Sequence, residues 1–149
     1  MRYRREIEVE GDPASVFSYV ADFANSAEWD PGILEARRLS PGATAAGSRF
    51  EVTAVFRGRQ QRFEYVVTEY EEGRRVALRG EGEKALSDDV ITVSSVGGHT
   101  RVAYEADLRL KGAYRIAEPF LRSTFARMGD DALEGLASTL AARRSGPAS

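Results

Sequence analysis

Residues 100–140 read TRVAYEADLRLKGAYRIAEPFLRSTFARMGDDALEGLASTL, and the spacing of apolar residues changes once within this stretch. Up to Leu110 apolar residues alternate with mostly charged ones, which predicts a strand with one buried face. Around Pro119 the spacing becomes three or four positions, which predicts a helix over about 117–143. At 1.5 Å per residue this helix is roughly 40 Å long, enough to cross the apolar face of a sheet. Its predicted buried stripe comprises Leu121, Phe125, Met128, Ala132, Leu136 and Leu140.

The sequence before this stretch predicts one further strand, two short helices and five more strands. Residues 3–10 alternate as a strand does, and Asp12-Pro13 supplies a cap and a first residue for a short helix over about 13–22. A second short helix is predicted over about 23–28. Short turns are predicted at Gly58, Glu72-Gly73 and Gly97-Gly98, so neighbouring strands are expected to be antiparallel. The five further strands are predicted over residues 33–39, 48–57, 60–70, 74–80 and 88–96, and the strand described first covers residues 100–110.

Length and composition exclude several classes of protein. The 149 residues suit one domain, predicted over 1–144, with a disordered tail over 145–149. A net charge of -2, with arginines interleaved among acids, argues against nucleic acid. No cysteine is present, and His99 is the only histidine, so we expect no metal site. No apolar run approaches the roughly 20 residues of a membrane span, so we expect no membrane insertion and a cytoplasmic location.

Five short motifs carry a resemblance to a known family: DPASVF at 12–17, EWDPG at 28–32, GSRF at 47–50, GGHTRV at 97–102 and KG at 111–112. On these motifs the chain resembles the START/SRPBCC superfamily, in particular its polyketide cyclase/dehydrase-like branch. The resemblance implies the helix-grip fold. This is an α+β fold in which a seven-stranded antiparallel sheet wraps around a long C-terminal helix, with two short helices between strands 1 and 2. It also implies an elongated cavity between the sheet and the helix.

Three functions remain open at this point. The leading hypothesis is that the cavity binds a small hydrophobic molecule of lipid, polyketide or aromatic type. The second is a cofactor-independent cyclase or dehydratase of the polyketide kind. The third is an interaction module with a packed interior. Phosphate-loop and dinucleotide patterns are absent, so no nucleotide cofactor is expected. The sequence leaves open whether the protein is a monomer or a homodimer.

Residues on the inward phases of the strands and helix are the candidates for a ligand site. Trp29 is expected either at the cavity entrance or pinning the short helices to the sheet. The Thr124 hydroxyl has the alternative of bonding back to a helix carbonyl. The predicted wall residues are Phe56, Tyr65, Tyr104, Ala106, Phe120, Thr124 and Met128.

Proton transfer, if any occurs, has three candidate residues. Tyr65 and Tyr104 fall on inward phases, although a core tyrosine with a satisfied hydroxyl is the simpler interpretation. Asp89 shares the phase of Ile91 and Val93, so burial could raise its pKa and make it a base. The plainer alternative for Asp89, which the sequence favours, is the solvated end of a hairpin.

Overall fold

The structure is a computed structural model that describes residues 1–145, and its seven strands form one antiparallel sheet. The strand order is β1-β7-β6-β5-β4-β3-β2, so each neighbouring pair except β1–β7 is consecutive in the chain. The predicted fold class is therefore confirmed. The strands are β1 (Arg2–Val9), β2 (Ile33–Arg38), β3 (Arg49–Phe56), β4 (Arg59–Glu71), β5 (Arg75–Gly82), β6 (Ala85–Val96) and β7 (His99–Leu110).

Tight turns fix the register of the sheet. Arg57 and Gly58 connect β3 to β4 with φ values of 51° and 79°, and Phe56 pairs with Arg59 across the turn. Two consecutive residues with positive φ match the right-handed twist of the flanking strands, and glycine adopts that conformation without strain. Gly97 and Gly98 connect β6 to β7 in the same manner, as the sequence predicts.

The short helices lie between β1 and β2. α1 (Pro13–Ala21) begins as predicted, with Pro13 in the first turn and the Asp12 side chain accepting a hydrogen bond from the backbone of Ser15 at 3.2 Å. The single helix predicted over 23–28 is divided into a 3-10 turn (Phe23–Asn25) and α2 (Ser26–Trp29). Within residues 1–145, no helix is both long and apolar enough to cross a membrane.

The long helix α3 (Glu118–Ser145) follows a 3-10 segment at Gly112–Ala117. Its 28 residues extend about 42 Å at 1.5 Å per residue. Of the tail predicted over 145–149, Ser145 ends this helix and residues 146–149 lie outside the described part of the chain. The C-terminal half of α3 is packed into the main apolar core through Ala132, Leu133, Leu136 and Leu140.

Glycine allows α3 to approach α2 closely. A Cβ atom at Gly135 would lie 2.1 Å from the backbone oxygen of Trp29, a distance that no real side chain tolerates. Trp29 itself is buried, with 3% of its surface exposed. The space beside Gly135 is therefore filled by the Trp29 backbone and is not part of a cavity.

Candidate functional site

A cavity of about 520 Å³ lies between the sheet and the N-terminal half of α3. The core closes one end of this space, because Phe23, Val52 and Leu133 are almost completely buried there and also line the cavity. The volume falls within the range of about 300–1,000 Å³ that is typical of small-molecule sites. The apolar wall comprises Tyr3, Phe23, Ile33, Val52, Ala54, Phe56, Phe63, Leu108, Leu121, Phe125, Met128 and Leu133.

Small residues shape the cavity wall. Ala54, Ala106 and Ala132 line it where larger side chains would project into the space. Gly80 has a different role, because a Cβ atom there would lie 2.4 Å from Cζ of Tyr65. Tyr65 and Gly80 are register partners on β4 and β5, so the Tyr65 ring rests directly on the Gly80 backbone. Glycine at position 80 therefore sets the position of the Tyr65 ring in the cavity.

Polar side chains meet at the inner part of the cavity. The Ser87 hydroxyl donates to Oδ1 of Asp89 at 2.5 Å, and the Tyr104 hydroxyl donates to Oδ2 of the same carboxylate. Ser87 and Asp89 are two residues apart on β6, so both side chains point to the inner face of the sheet. Tyr65 lines the same cavity from β4. We call Tyr65, Ser87, Asp89 and Tyr104 the inner polar cluster.

Burial controls the ionisation of this cluster. Desolvation raises the pKa of Asp89 to about 6, although hydrogen bonds from Ser87 and Tyr104 act in the opposite direction. Burial, together with the Asp89 charge, also raises the pKa of Tyr65 and of Tyr104 well above the ordinary value. The two tyrosines are therefore hydrogen-bond donors at neutral pH, and Asp89 is a carboxyl group that can exchange a proton in that range.

Asp30 adds a second carboxyl group to the cavity wall, although nothing in the sequence pattern marked it as a site residue. It follows α2, where the backbone N–H of Gly32 donates to its Oδ1 at 2.8 Å. Burial raises the pKa of Asp30 to about 6, and the charges of Asp89 and Asp131 add to this effect. Among residues 1–145, no three histidine, aspartate or glutamate side chains are grouped so that they could hold a metal ion.

Most of the predicted wall residues line this cavity. Phe56, Tyr65, Tyr104, Ala106 and Met128 all do so. They come from β3, β4, β7 and α3. Their contact with a ligand remains a prediction, because only their position in the wall is established by the geometry.

Three of the predicted residues do not line the cavity. Phe120 is 78% exposed, because it precedes the cavity-lining Leu121 by one residue, or about 100° around a helix. Thr124 likewise precedes the cavity-lining Phe125 by one residue, and its side chain does not line the cavity. Trp29 packs edge-on against Tyr104, with ring centroids 6.2 Å apart, and supports the wall from behind. Of the two roles considered for Trp29, pinning the short helices agrees with its burial, and a place at the entrance does not.

The expectation that Asp89 lies at a solvated hairpin end is wrong, because Asp89 is only 4% exposed. β6 begins at Ala85, three residues before the predicted start, so Asp89 lies inside the strand. The early start also brings Ser87 into the site. Ala85, Ser87, Asp89 and Ile91 share one phase, as expected for the inward face of a strand that begins at Ala85. Because Ser87 and Asp89 are polar, they interrupt the apolar alternation by which such a strand is recognised.

A curled antiparallel sheet closed by one long helix, with a cavity between them, defines the class of helix-grip proteins. The chain belongs to the family described as polyketide cyclase/dehydrase and lipid transport, whose model matches residues 1–141. No curated protein matches it.

Solved structures with low sequence identity share this fold. A Thermus thermophilus protein superimposes with a TM-score of 0.81 at 16% identity, covering 96% of this chain and 99% of its own. The Zhui aromatase/cyclase of a Streptomyces species gives 0.79 at 12% identity, covering 96% and 94%. A START superfamily protein of Mycobacterium smegmatis gives 0.72 at 17% identity, covering 93% and 98%.

Proposed function

We propose that the protein binds a small, largely apolar molecule in the cavity between the sheet and α3. The observation that carries this proposal is the coexistence of a well-packed core at one end of α3 with about 520 Å³ of apolar-walled space at the other. Buried apolar surface stabilises a folded chain, so an unfilled apolar space of this size gives up packing contacts. A ligand that fills the space would restore those contacts.

The inner polar cluster gives the proposed ligand a preferred orientation. Asp89 accepts hydrogen bonds from two protein donors, and Tyr65 lines the same cavity. A hydroxyl or carbonyl group of the ligand would find both donors and acceptors here. Apolar pockets with a few convergent polar groups commonly bind small molecules in a fixed orientation.

The direct test compares two substitutions on opposite faces of β7. Ala106 lines the cavity. Ala103 is three residues from Ala106 on the same strand, so its side chain lies on the opposite face of the sheet. Ala106→Trp should abolish binding of the uncharged fluorescent probe N-phenylnaphthylamine, because the indole would occupy the cavity. Ala103→Trp, the matched control, should bind the probe as the wild type does. Circular dichroism checks that both variants fold.

Equal probe affinity in wild type and Ala106→Trp would refute binding in this cavity. Native mass spectrometry of the purified protein provides an independent measurement. A co-purified molecule in the wild type that is absent from Ala106→Trp would support the proposal and identify the chemical class of the ligand.

A second candidate function is cyclisation or dehydration of a polyketide-like chain. The observation that favours it is the contact between a buried carboxyl group whose pKa is raised to about 6 and the Tyr104 hydroxyl, in the wall of the same cavity. Such a group can accept a proton next to a carbonyl and return it to a leaving hydroxyl, steps that typically contribute about 10²–10⁴-fold in rate.

Turnover distinguishes the two candidates. A linear poly-β-keto thioester would be incubated with wild type, Asp89→Asn and Tyr104→Phe, and the products would be followed by chromatography. An enzyme should lose at least about 100-fold in rate in Asp89→Asn while its probe affinity stays unchanged. Identical product profiles with and without wild-type protein would leave ligand binding as the function.

A further inference from the structure

Three cationic side chains line the outer part of the cavity. Arg57 and Arg59 flank the turn between β3 and β4, and Lys84 lies in the turn between β5 and β6. These two turns lie at the same end of the sheet. Phe63, near the start of β4, pairs with Gly82, the last residue of β5, so the turn before β4 and the turn after β5 are neighbours. We call Arg57, Arg59 and Lys84 the mouth cations.

The mouth cations lack ionic partners in the part of the chain that the structure describes. Neither Arg57, Arg59 nor Lys84 forms a salt bridge or a side-chain hydrogen bond there; the Lys84 ammonium lies 5.3 Å from the centroid of the Tyr114 ring. Several cations on or beside the sheet are paired, for example Arg79 with Asp88 and Lys111 with Glu81. Three unpaired positive charges therefore gather at one place, on the wall of an apolar cavity.

The opposite end of the cavity is acidic. Asp30 and Asp89 line its inner part, and no basic side chain appears among the other lining residues. Charges act over longer distances in an apolar, partly enclosed space than in bulk water. An anionic group would therefore be repelled from the inner end and attracted to the mouth.

The strand geometry gives the distance between the two ends. Lys84 and Asp89 are five residues apart along the β5–β6 turn and β6, which at about 3.3 Å per residue corresponds to about 17 Å. Arg59 and Tyr65 are six residues apart on β4, or about 20 Å. A ligand that reaches both ends must be an elongated molecule of comparable length.

We propose that the ligand is a long-chain amphipathic anion, whose carboxylate or phosphate binds the mouth cations while its apolar chain extends inward to the inner polar cluster. This inference rests on the proposed ligand-binding function and specifies the ligand class. A hydroxyl at the far end of the chain would reach Asp89 and Tyr65, so an ω-hydroxy acid satisfies both ends of the cavity.

The test uses displacement of N-phenylnaphthylamine by matched competitors at low salt and about pH 8. Hexadecanoate, hexadecyl phosphate and ω-hydroxyhexadecanoate carry the anion, and hexadecanol is the uncharged control. Wild type should bind the anions about tenfold more tightly than hexadecanol, equal to about 1.4 kcal/mol. The preference should decrease as salt is added. The tighter of the carboxylate and the phosphate identifies the anion.

Two triple variants distinguish an effect of the mouth cations from an effect of the protein's net charge. Arg57→Gln/Arg59→Gln/Lys84→Gln should lose the preference for anions and keep wild-type affinity for hexadecanol. The control Arg62→Gln/Arg122→Gln/Arg127→Gln removes the same number of positive charges from exposed residues that do not line the cavity, and it should keep the preference. All six residues are at the surface or cavity edge, so both variants are expected to fold.

The outcomes distinguish this inference from the proposed function. If hexadecanol binds wild type as tightly as hexadecanoate, the mouth cations do not select anions and the inference is wrong, although cavity binding stands. If no probe or competitor binds, both proposals fail. A mouth triple variant that loses binding to phosphatidylserine vesicles but keeps its preference for hexadecanoate would assign these cations to a membrane surface and overturn the inference.

Discussion

Replacing Asp89 with asparagine is expected to stabilise the protein at neutral pH and to leave its stability near pH 4 almost unchanged. Asparagine has nearly the shape of the carboxyl group and keeps one oxygen that can accept from Ser87 or Tyr104. It differs in that it never carries a charge into the buried site. The comparison therefore isolates the cost of ionising Asp89 inside the protein.

The magnitude follows from the pKa shift. Burial raises the pKa of Asp89 from about 4 in an unfolded chain to about 6 in the folded protein. Between these values the folded state binds more protons than the unfolded state, so the free energy of unfolding decreases as pH rises. Two pKa units correspond to about 3 kcal/mol, which is lost between about pH 4 and pH 6. Asp89→Asn avoids this loss.

Urea denaturation between about pH 4 and pH 8 measures the effect, with free energies obtained by linear extrapolation. The advantage of Asp89→Asn over wild type should increase from near zero to about 3 kcal/mol across that range. Asp88→Asn is the matched control, because Asp88 lies on the outer face and its pKa is lowered by hydrogen bonding to Arg79. The stability that Asp88 contributes is present above its unfolded pKa and lost as pH falls, so this variant should be less stable at neutral pH. Parallel pH profiles for wild type and Asp89→Asn would refute the burial argument.

Two glycine substitutions test how the wall is built. Gly80→Ala should destabilise the protein by about 1–3 kcal/mol in urea denaturation, because the new Cβ would lie 2.4 Å from the Tyr65 ring; an unchanged midpoint would show that the ring moves freely. Gly135→Ala should also destabilise the protein, by about 2 kcal/mol, although alanine favours helix by roughly 1 kcal/mol. Its Cβ would meet the Trp29 backbone at 2.1 Å, and a rise in the melting temperature would contradict that close contact.

The sequence predicted the sheet better than the site, and the reason lies in the range of the interactions. Alternation along β7 and the turns at Gly58 and Gly97-Gly98 are local signals, and these elements appear where they were predicted. The site depends on which side chains face one another across the sheet and helix. Phe120 was misplaced because a single residue of helix rotation separates the cavity face from solvent.

Asp30 and Asp89 are site residues whose burial the local sequence does not predict. Asp30 follows the last turn of α2 and resembles an ordinary turn residue in the sequence, yet the approach of α2 to α3 carries it into the cavity wall. Asp89 was expected in water because acidic residues are rarely buried. The partners that make its burial tolerable, Ser87 and Tyr104, are identified only when β6 and β7 are paired.

The division of α3 into a core-packed half and a cavity-lining half separates two evolutionary pressures. Substitutions at Leu136 or Leu140 act on the stability of the whole fold, since these side chains have no alternative to the core. Substitutions at Leu121, Phe125 or Met128 change the shape of the cavity at a smaller structural cost. A lineage can therefore change the shape and lining of the cavity by varying the first four turns of one helix, while the last turns keep the scaffold intact.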